Sequence, residues 1–146
     1  MTILLDTKII MDALQERQPF NIEAKEILFR AQNGEFTCYI TATTATDIFY
    51  LYSKARDKKS ARQALDFLLT TYKVVSVAHE DCINAMSVPI EDFEDALASI
   101  CAKKAGADYV ISRDDTYLRS NSPVKVMEPA GFLRLMKITA QTVIPS

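Results

Sequence analysis

The stretch DFEDALASICAKKAGADYVISRDD, residues 92–115, decides the fold. Its first part has helical period, and with Glu91 before it the spacing predicts a helix over residues 91–105. A short apolar run, DYVIS over 108–112, follows and reads as a strand. A long helical segment leading into a brief apolar strand is half of a βαβ unit. On a helical wheel Phe93, Leu97, Ile100 and the stem of Lys104 form the expected core stripe, with Asp92, Asp95 and Ser99 on the strip beside it. Glu94 falls on the far side and reads as solvent-facing, and Glu91 as an ordinary helix-start charge.

The same alternation extends in both directions. TILLD (2–6) is a first strand, almost wholly apolar as a strand buried on both faces should be. Helices are expected from about Lys8 to Leu14 and over 22–34. FTCYIT (36–41) gives the second strand, and a helix with a Thr-rich start follows from Ala42. Another helix spans 58–70, YKVVSV (72–77) is the third strand, and a short helix runs from His79 to about Met86. VKVM (124–127) is a fifth strand, and residues 128–137 close the chain with a helix in which Pro129 sits early. Apolar strands alternating with helices imply an α/β domain with a central, mostly parallel five-stranded sheet. One domain is expected over residues 1–138, with 139–146 as a C-terminal tail.

Bulk composition narrows the possible functions. The chain has 146 residues, 49% of them hydrophobic, enough for one domain with a substantial core. Lys and Arg number 17 against 19 Asp and Glu, a formal charge of -2, so a polyanionic partner would have to be met by a local patch. The segment 52–62 holds Lys54, Arg56, Lys58, Lys59 and Arg62, and is either a solvated helix junction or such a patch. Cys38, Cys82 and Cys101 lack metal-type spacing and read as reduced thiols in the core. The N-terminus shows no secretory pattern and no apolar run approaches the roughly 20 residues needed to span a bilayer, so a cytoplasmic protein without a membrane role is expected. His79, the single histidine, reads as a cap or surface residue.

In a parallel sheet the helix N-termini and strand C-termini share one rim, where ligands bind. Asp6 closes the first strand, Asp47 lies early in the helix after the second, Asp92 and Asp95 start their helix, and Asp114 follows the fourth strand. All map to that rim. Carboxylates gathered there would repel one another unless a cation sat among them. Mg²⁺ favours a few carboxylate oxygens and leaves positions for a phosphate, so the pattern points to metal-assisted phosphodiester hydrolysis.

Four segments together resemble the PIN domain ribonucleases, which include toxins of toxin–antitoxin pairs: ILLDTKIIMDAL, TATTATDIFYLY, DFEDALASICAKKAGADYVISRDD and PVKVMEPAGFLRLM, in order along nearly the whole chain. The resemblance implies a three-layer α/β/α sandwich and a Mg²⁺- or Mn²⁺-dependent endoribonuclease. It places the catalytic acids at Asp6, Asp47, Asp95 and Asp114, with Asp92 beside Asp95 as a further metal ligand. Three positions depart from the family pattern. Asp47 stands where most active members have Glu, Lys8 replaces a small polar residue, and DTYLRS after Asp114 lacks a further acid. The Lys8 ammonium either holds the scissile phosphate or takes the place of a metal, while Arg113 either touches a phosphate or pairs with a nearby acid. RNA is the expected substrate and an antitoxin the expected partner. The aromatic group Phe49, Tyr50 and Tyr52, with Leu51, suggests a homodimer surface, with core packing the expected use for Phe49. The competing reading is a catalytically weak PIN-like module that binds RNA or a protein.

Overall fold

The computed structural model describes the backbone of residues 1–143 and the side chains of residues 1–137. Its elements run β1 (Thr2–Leu5), α1 (Thr7–Leu14), α2 (Asn21–Gln32), β2 (Thr37–Thr41), α3 (Ala42–Ala55), α4 (Lys58–Thr71), β3 (Lys73–Val75), α5 (His79–Ala85), α6 (Phe93–Lys104), β4 (Tyr109–Ile111), α7 (Asp115–Leu118), β5 (Val126–Met127) and α8 (Pro129–Val143). Residues 139–143 of the expected tail are helical backbone continuing α8, and 144–146 lie outside the described residues. The five strands form one sheet in the order β3-β2-β1-β4-β5, and every pair is parallel. The first strand of the sequence is thus central, with Leu4 opposite both Tyr39 and Val110.

Period-two alternation in these strands makes the three layers. Ile3 and Leu5 of β1, Cys38 and Ile40 of β2 and Ile111 of β4 face one core, shared with Ile9, Ile10, Ile27, Ile48, Leu68 and Phe132 from the helices. Leu4, Val110 and Val126 point the other way, against Cys101, Ala102, Tyr117 and Val124. Helices α1, α2, α3, α4 and α8 therefore cover one face of the sheet. On the other lie α6 and α7, with α5 packed against α6.

Local chemistry sets the helix ends. Asp57 caps α4 through the Ser60 N–H at 2.7 Å, Thr41 caps α3 through Thr44 N–H, and Asp92 caps α6 through Asp95 N–H at 3.0 Å. Glu94 and Asp95 in the first turn of α6, and Lys103 and Lys104 in its last, both complement the helix dipole. Gly106 ends α6 in the left-handed region, φ 71°, and so lets the chain turn directly into β4. Lys104 Nζ reaches the Ser76 carbonyl at 3.0 Å and Asp81 at 2.9 Å, tying the end of α6 to the start of α5. All three cysteines are free, with Cys38 and Cys101 buried.

The rotation of α6 differs from the expected one. Its buried residues are Ala96, Ser99, Cys101 and Ala102, whereas Phe93 is 45% exposed, Leu97 and Ile100 are half-buried and Lys104 is exposed. Small side chains at three-residue spacing let the helix lie close to the sheet beside Leu4 and Val110. A hydropathy wheel follows Phe and Leu and gives Ala and Ser little weight. No helix among the described residues is long and apolar enough to cross a membrane.

Phe132 of α8 is fully buried and packs edge-on against Phe36, with ring centroids 5.1 Å apart. Phe132→Ala should lower unfolding free energy by about 3–5 kcal/mol. In urea denaturation this will appear as a reduced midpoint at unchanged slope.

Candidate active site

The rim is built around Asp6. As the N-cap of α1, its Oδ1 accepts from the Thr7 N–H at 2.8 Å, and its own N–H donates to the Ile111 carbonyl at 3.0 Å. Oδ2 accepts from the Ser112 hydroxyl at 2.8 Å, so the residue that follows β4 holds the residue that ends β1. Burial pushes the Asp6 carboxyl above its ordinary value. The bonds from Ser112 and Thr7 and the charge of Lys8 oppose that rise, while the charge of Asp114 adds to it.

Ser112 also accepts from the backbone N–H of Asp114 at 3.2 Å. One buried hydroxyl thus links two of the predicted acids. Asp114 is the N-cap of α7, a turn too short to show a helical period, and its Oδ1 accepts from the Thr116 N–H at 3.1 Å.

Asp95 projects from the first turn of α6 into the same region, and its carboxyl accepts no hydrogen bond among the described residues. Burial, followed by the charges of Asp92, Asp6, Asp114 and Glu94, pushes it from an ordinary 3.8 up to about 7. Glu94 is exposed, as expected, yet its carboxyl lies beside Asp47 of α3 and within the field of Asp92 and Asp6. Burial first and then Asp47 raise it above its ordinary value. Cα–Cβ bonds tilt toward a helix N-terminus, so first-turn acids lean over the rim at angles a wheel does not predict.

Asp6, Glu94 and Asp95 line a small cleft with Thr41, Thr44 and Tyr117, large enough for about one water-sized sphere. Thr44 Oγ1 lies 3.0 Å from Thr7 Oγ1 and 3.1 Å from Thr41 Oγ1, knitting the start of α3 to the start of α1. Ser99 is not on the acidic strip. It is fully buried beneath it, 2.7 Å from the Tyr117 hydroxyl, and it receives a further bond from Ser122 at 3.0 Å.

The two predicted phosphate contacts separate. Lys8 is exposed in the first turn of α1 and acts on Asp6 through its charge. Arg113 turns away from the acids. Its Nε and Nη2 donate to Asp12 Oδ2 and Oδ1 at 2.7 and 3.1 Å, and its guanidinium lies 3.9 Å from the centre of the Phe20 ring. Of its two expected roles, pairing with an acid is the one realised, because Asp12 has no exposed side-chain surface and requires a cation. A sequence signal for Asp12 exists: it is an acid inside the apolar run IIMDAL.

The acids suit a hard divalent cation by type, since every donor is a carboxylate, and Asp6, Glu94 and Asp95 are all raised, first by burial and, for Glu94 and Asp95, then by neighbouring acids. They do not form a finished shell. Among the described residues no group of three or more Asp, Glu, His or Cys side chains is close enough to hold a metal ion. Asp6, Asp92 and Asp114 each direct a carboxyl oxygen to a backbone N–H, and Asp47 meets Glu94.

The sequence pattern of the PIN domain matches residues 2–116, which carry all of these acids. This chain belongs to the PIN domain family. A relative named ribonuclease VapC1, from Aquifex aeolicus (strain VF5), is 22% identical over 134 residues, covering 86% of this PIN domain chain and 90% of that protein. Among solved structures, VapBC2 from Rickettsia felis bound to a DNA fragment from its promoter superposes with a TM-score of 0.66 at 16% identity, covering 88% and 98% of the two chains. A toxin–antitoxin complex from Klebsiella pneumoniae gives 0.66 at 20% identity, covering 87% and 97%. At these identities the structural likeness establishes the three-layer fold.

The raised acids give this PIN domain a pH signature. A carboxyl that titrates at 3.8 unfolded and about 7 folded carries an extra proton in the folded state between those values. Its stabilising contribution is complete below the unfolded value and is lost as pH rises through about 7. Without divalent cations, thermal unfolding should therefore show stability falling between about pH 4 and pH 7 and levelling off above that, and Asp95→Asn should flatten that fall.

Proposed function

We propose that this PIN domain is a Mg²⁺- or Mn²⁺-dependent endoribonuclease and the toxin of a toxin–antitoxin pair. The observation that carries the reading is the Asp95 carboxyl, which has no donor among the described residues, stands with Asp92, Asp6, Asp114 and Glu94, and is raised to about 7 by burial first and then by those acids. Such a group gains most from a cation placed among its neighbours. Asp6, Asp95 and Asp114 are the proposed principal ligands, with Asp92 beside them and Asp47 acting from α3.

When bound there, a divalent cation supplies an activated water and offsets charge on the phosphate. The chain's own residues do the rest. Ser112 and the Thr7 N–H hold Asp6 in one orientation, and Tyr117, anchored by Ser99, closes the floor of the cleft. The exposed Lys8 ammonium, whose charge acts on Asp6, is the proposed contact for a non-bridging oxygen of the scissile phosphate. Glu94 lies beside Asp47 at the mouth of the site, and burial and that neighbour hold its carboxyl above its ordinary value.

The antitoxin assignment is supported by the VapBC and toxin–antitoxin complexes among the structural neighbours. A homodimer through α3 is supported by Tyr50 and Leu51, which are 57% and 38% exposed, while Tyr52 is buried and Phe49 packs on the core. A cytoplasmic site of action suits an RNA substrate. The second reading, a weak or inactive module binding RNA or a protein, is favoured by two observations: among the described residues the acids do not close into a ready-made shell, and the charge of Lys8 acts on Asp6.

Purified protein should cleave RNA in Mg²⁺ or Mn²⁺ and stop on addition of a chelator. Asp6→Ala or Asp95→Ala should remove several kcal/mol of transition-state stabilisation, a loss of roughly a hundredfold or more in rate. Cleavage that survives both substitutions would refute the enzymatic reading. Lys8→Ala then separates the two roles for that residue: a slower reaction marks a phosphate contact, and a faster one marks a residue that hinders the metal.

A further inference from the structure

We propose that Asp12 and Arg113 are positioning residues, a buried clamp that fixes Asp114 relative to Asp6 and thereby sets the cation affinity of the rim; the inference rests on the reading of that rim as a cation site.

Asp12 and Arg113 are 101 residues apart, but each lies on a segment that ends at a rim acid. Asp6 caps α1, and Asp12 is on the inner side of that helix with no exposed side-chain surface. Arg113 is the residue between Ser112, which bonds Asp6, and Asp114. Ser112 and Arg113 follow β4 as successive residues, so one points toward the acids and the other away. The segment 112–114 is thus fastened on both sides: by the Ser112 hydroxyl to Asp6, and by the Arg113 guanidinium to the helix that Asp6 begins.

The contact has the properties of a rigid pin. Two nearly parallel N–H···O bonds, at 2.7 and 3.1 Å, fix orientation as well as distance. The Phe20 ring covers the guanidinium at 3.9 Å, and Arg17 approaches Asp12 more loosely, at 3.8 Å. A buried ion pair is a weak source of net stability, since apolar groups of the same size often do as well. What an apolar pair would not reproduce is the planar fork that holds the chain just before Asp114. Lysine would keep the charge and lose the fork.

The test uses the full chain with Asp12→Asn, Arg113→Lys and the double variant. Amide exchange is followed at Asp114 and Thr116 without metal, and Mn²⁺ binding is measured by calorimetry. Arg30→Met, which breaks the Arg30 pairs with Glu26 and Glu35 on the outer face of α2, controls for general destabilisation. The clamp predicts faster exchange at both amides and Mn²⁺ affinity weakened by about tenfold or more in each single variant. It also predicts that the double variant is no worse than the worse single one, and that Arg30→Met leaves Mn²⁺ affinity unchanged. Should Asp12→Asn fail to fold, Arg113→Lys decides alone. Unchanged affinity in Arg113→Lys, or equal weakening in Arg30→Met, overturns the clamp. Failure of the unsubstituted chain to bind Mn²⁺ would instead overturn the reading of the rim on which the clamp depends.

Discussion

The bond from the Ser112 hydroxyl to Asp6 is the contact on which the site depends. It is possible because β1 and β4 are parallel neighbours at the centre of the sheet, so that both strands end at the same level. That pairing requires β1 to be apolar on both faces, which TILL satisfies, and requires the chain to cross over a helix before it returns. Everything else at the rim is positioned from that pair of strand ends. Asp6 starts α1, Asp114 starts α7, and the remaining acids lean in from the N-termini of α3 and α6.

The resulting cleft is electrostatically unfavourable as it stands. Asp6, Glu94 and Asp95 are all harder to ionise than free carboxyls, first because of burial, and only at Asp6 do bonds from Ser112 and the Thr7 N–H offset part of it. A fold that maintains such a cluster gives up some stability for it. The cost is local, because both cores on either side of the sheet are apolar and continuous. A cation held by Asp6, Asp95 and Asp114 would offset the repulsion among them.

Much of this was legible in the sequence, for definite reasons. Strand and helix order follows from short apolar runs alternating with helical segments, and the crossover rule then sends Asp6, Asp47, Asp92, Asp95 and Asp114 to one edge before any contact is known. Helix α7 was not legible, since four residues carry no period. The rotation of α6 was misread because close packing against the sheet selects Ala96, Ser99 and Ala102, which hydropathy ranks low. Glu94 was read as solvent-facing and is exposed, but its nearness to Asp47 was not legible, because that depends on how the first turn of α6 tilts over the rim. The Asp12–Arg113 pair depends on a contact between distant segments, although the acid within IIMDAL was a visible anomaly. The homodimer surface and the role of Lys8 concern partners and ligands, and sequence and fold alone leave them as proposals.

The central claim is that the rim carboxylates form a divalent-cation site whose strain in the free protein is relieved by the ion. A titration of the Asp95 carboxyl carbon by NMR, with and without Mg²⁺, tests it most directly. The account predicts a midpoint near 7 in the free protein, falling well below that when Mg²⁺ is added. A midpoint near 3.8 in the free protein, or one near 7 that Mg²⁺ does not move, would contradict it.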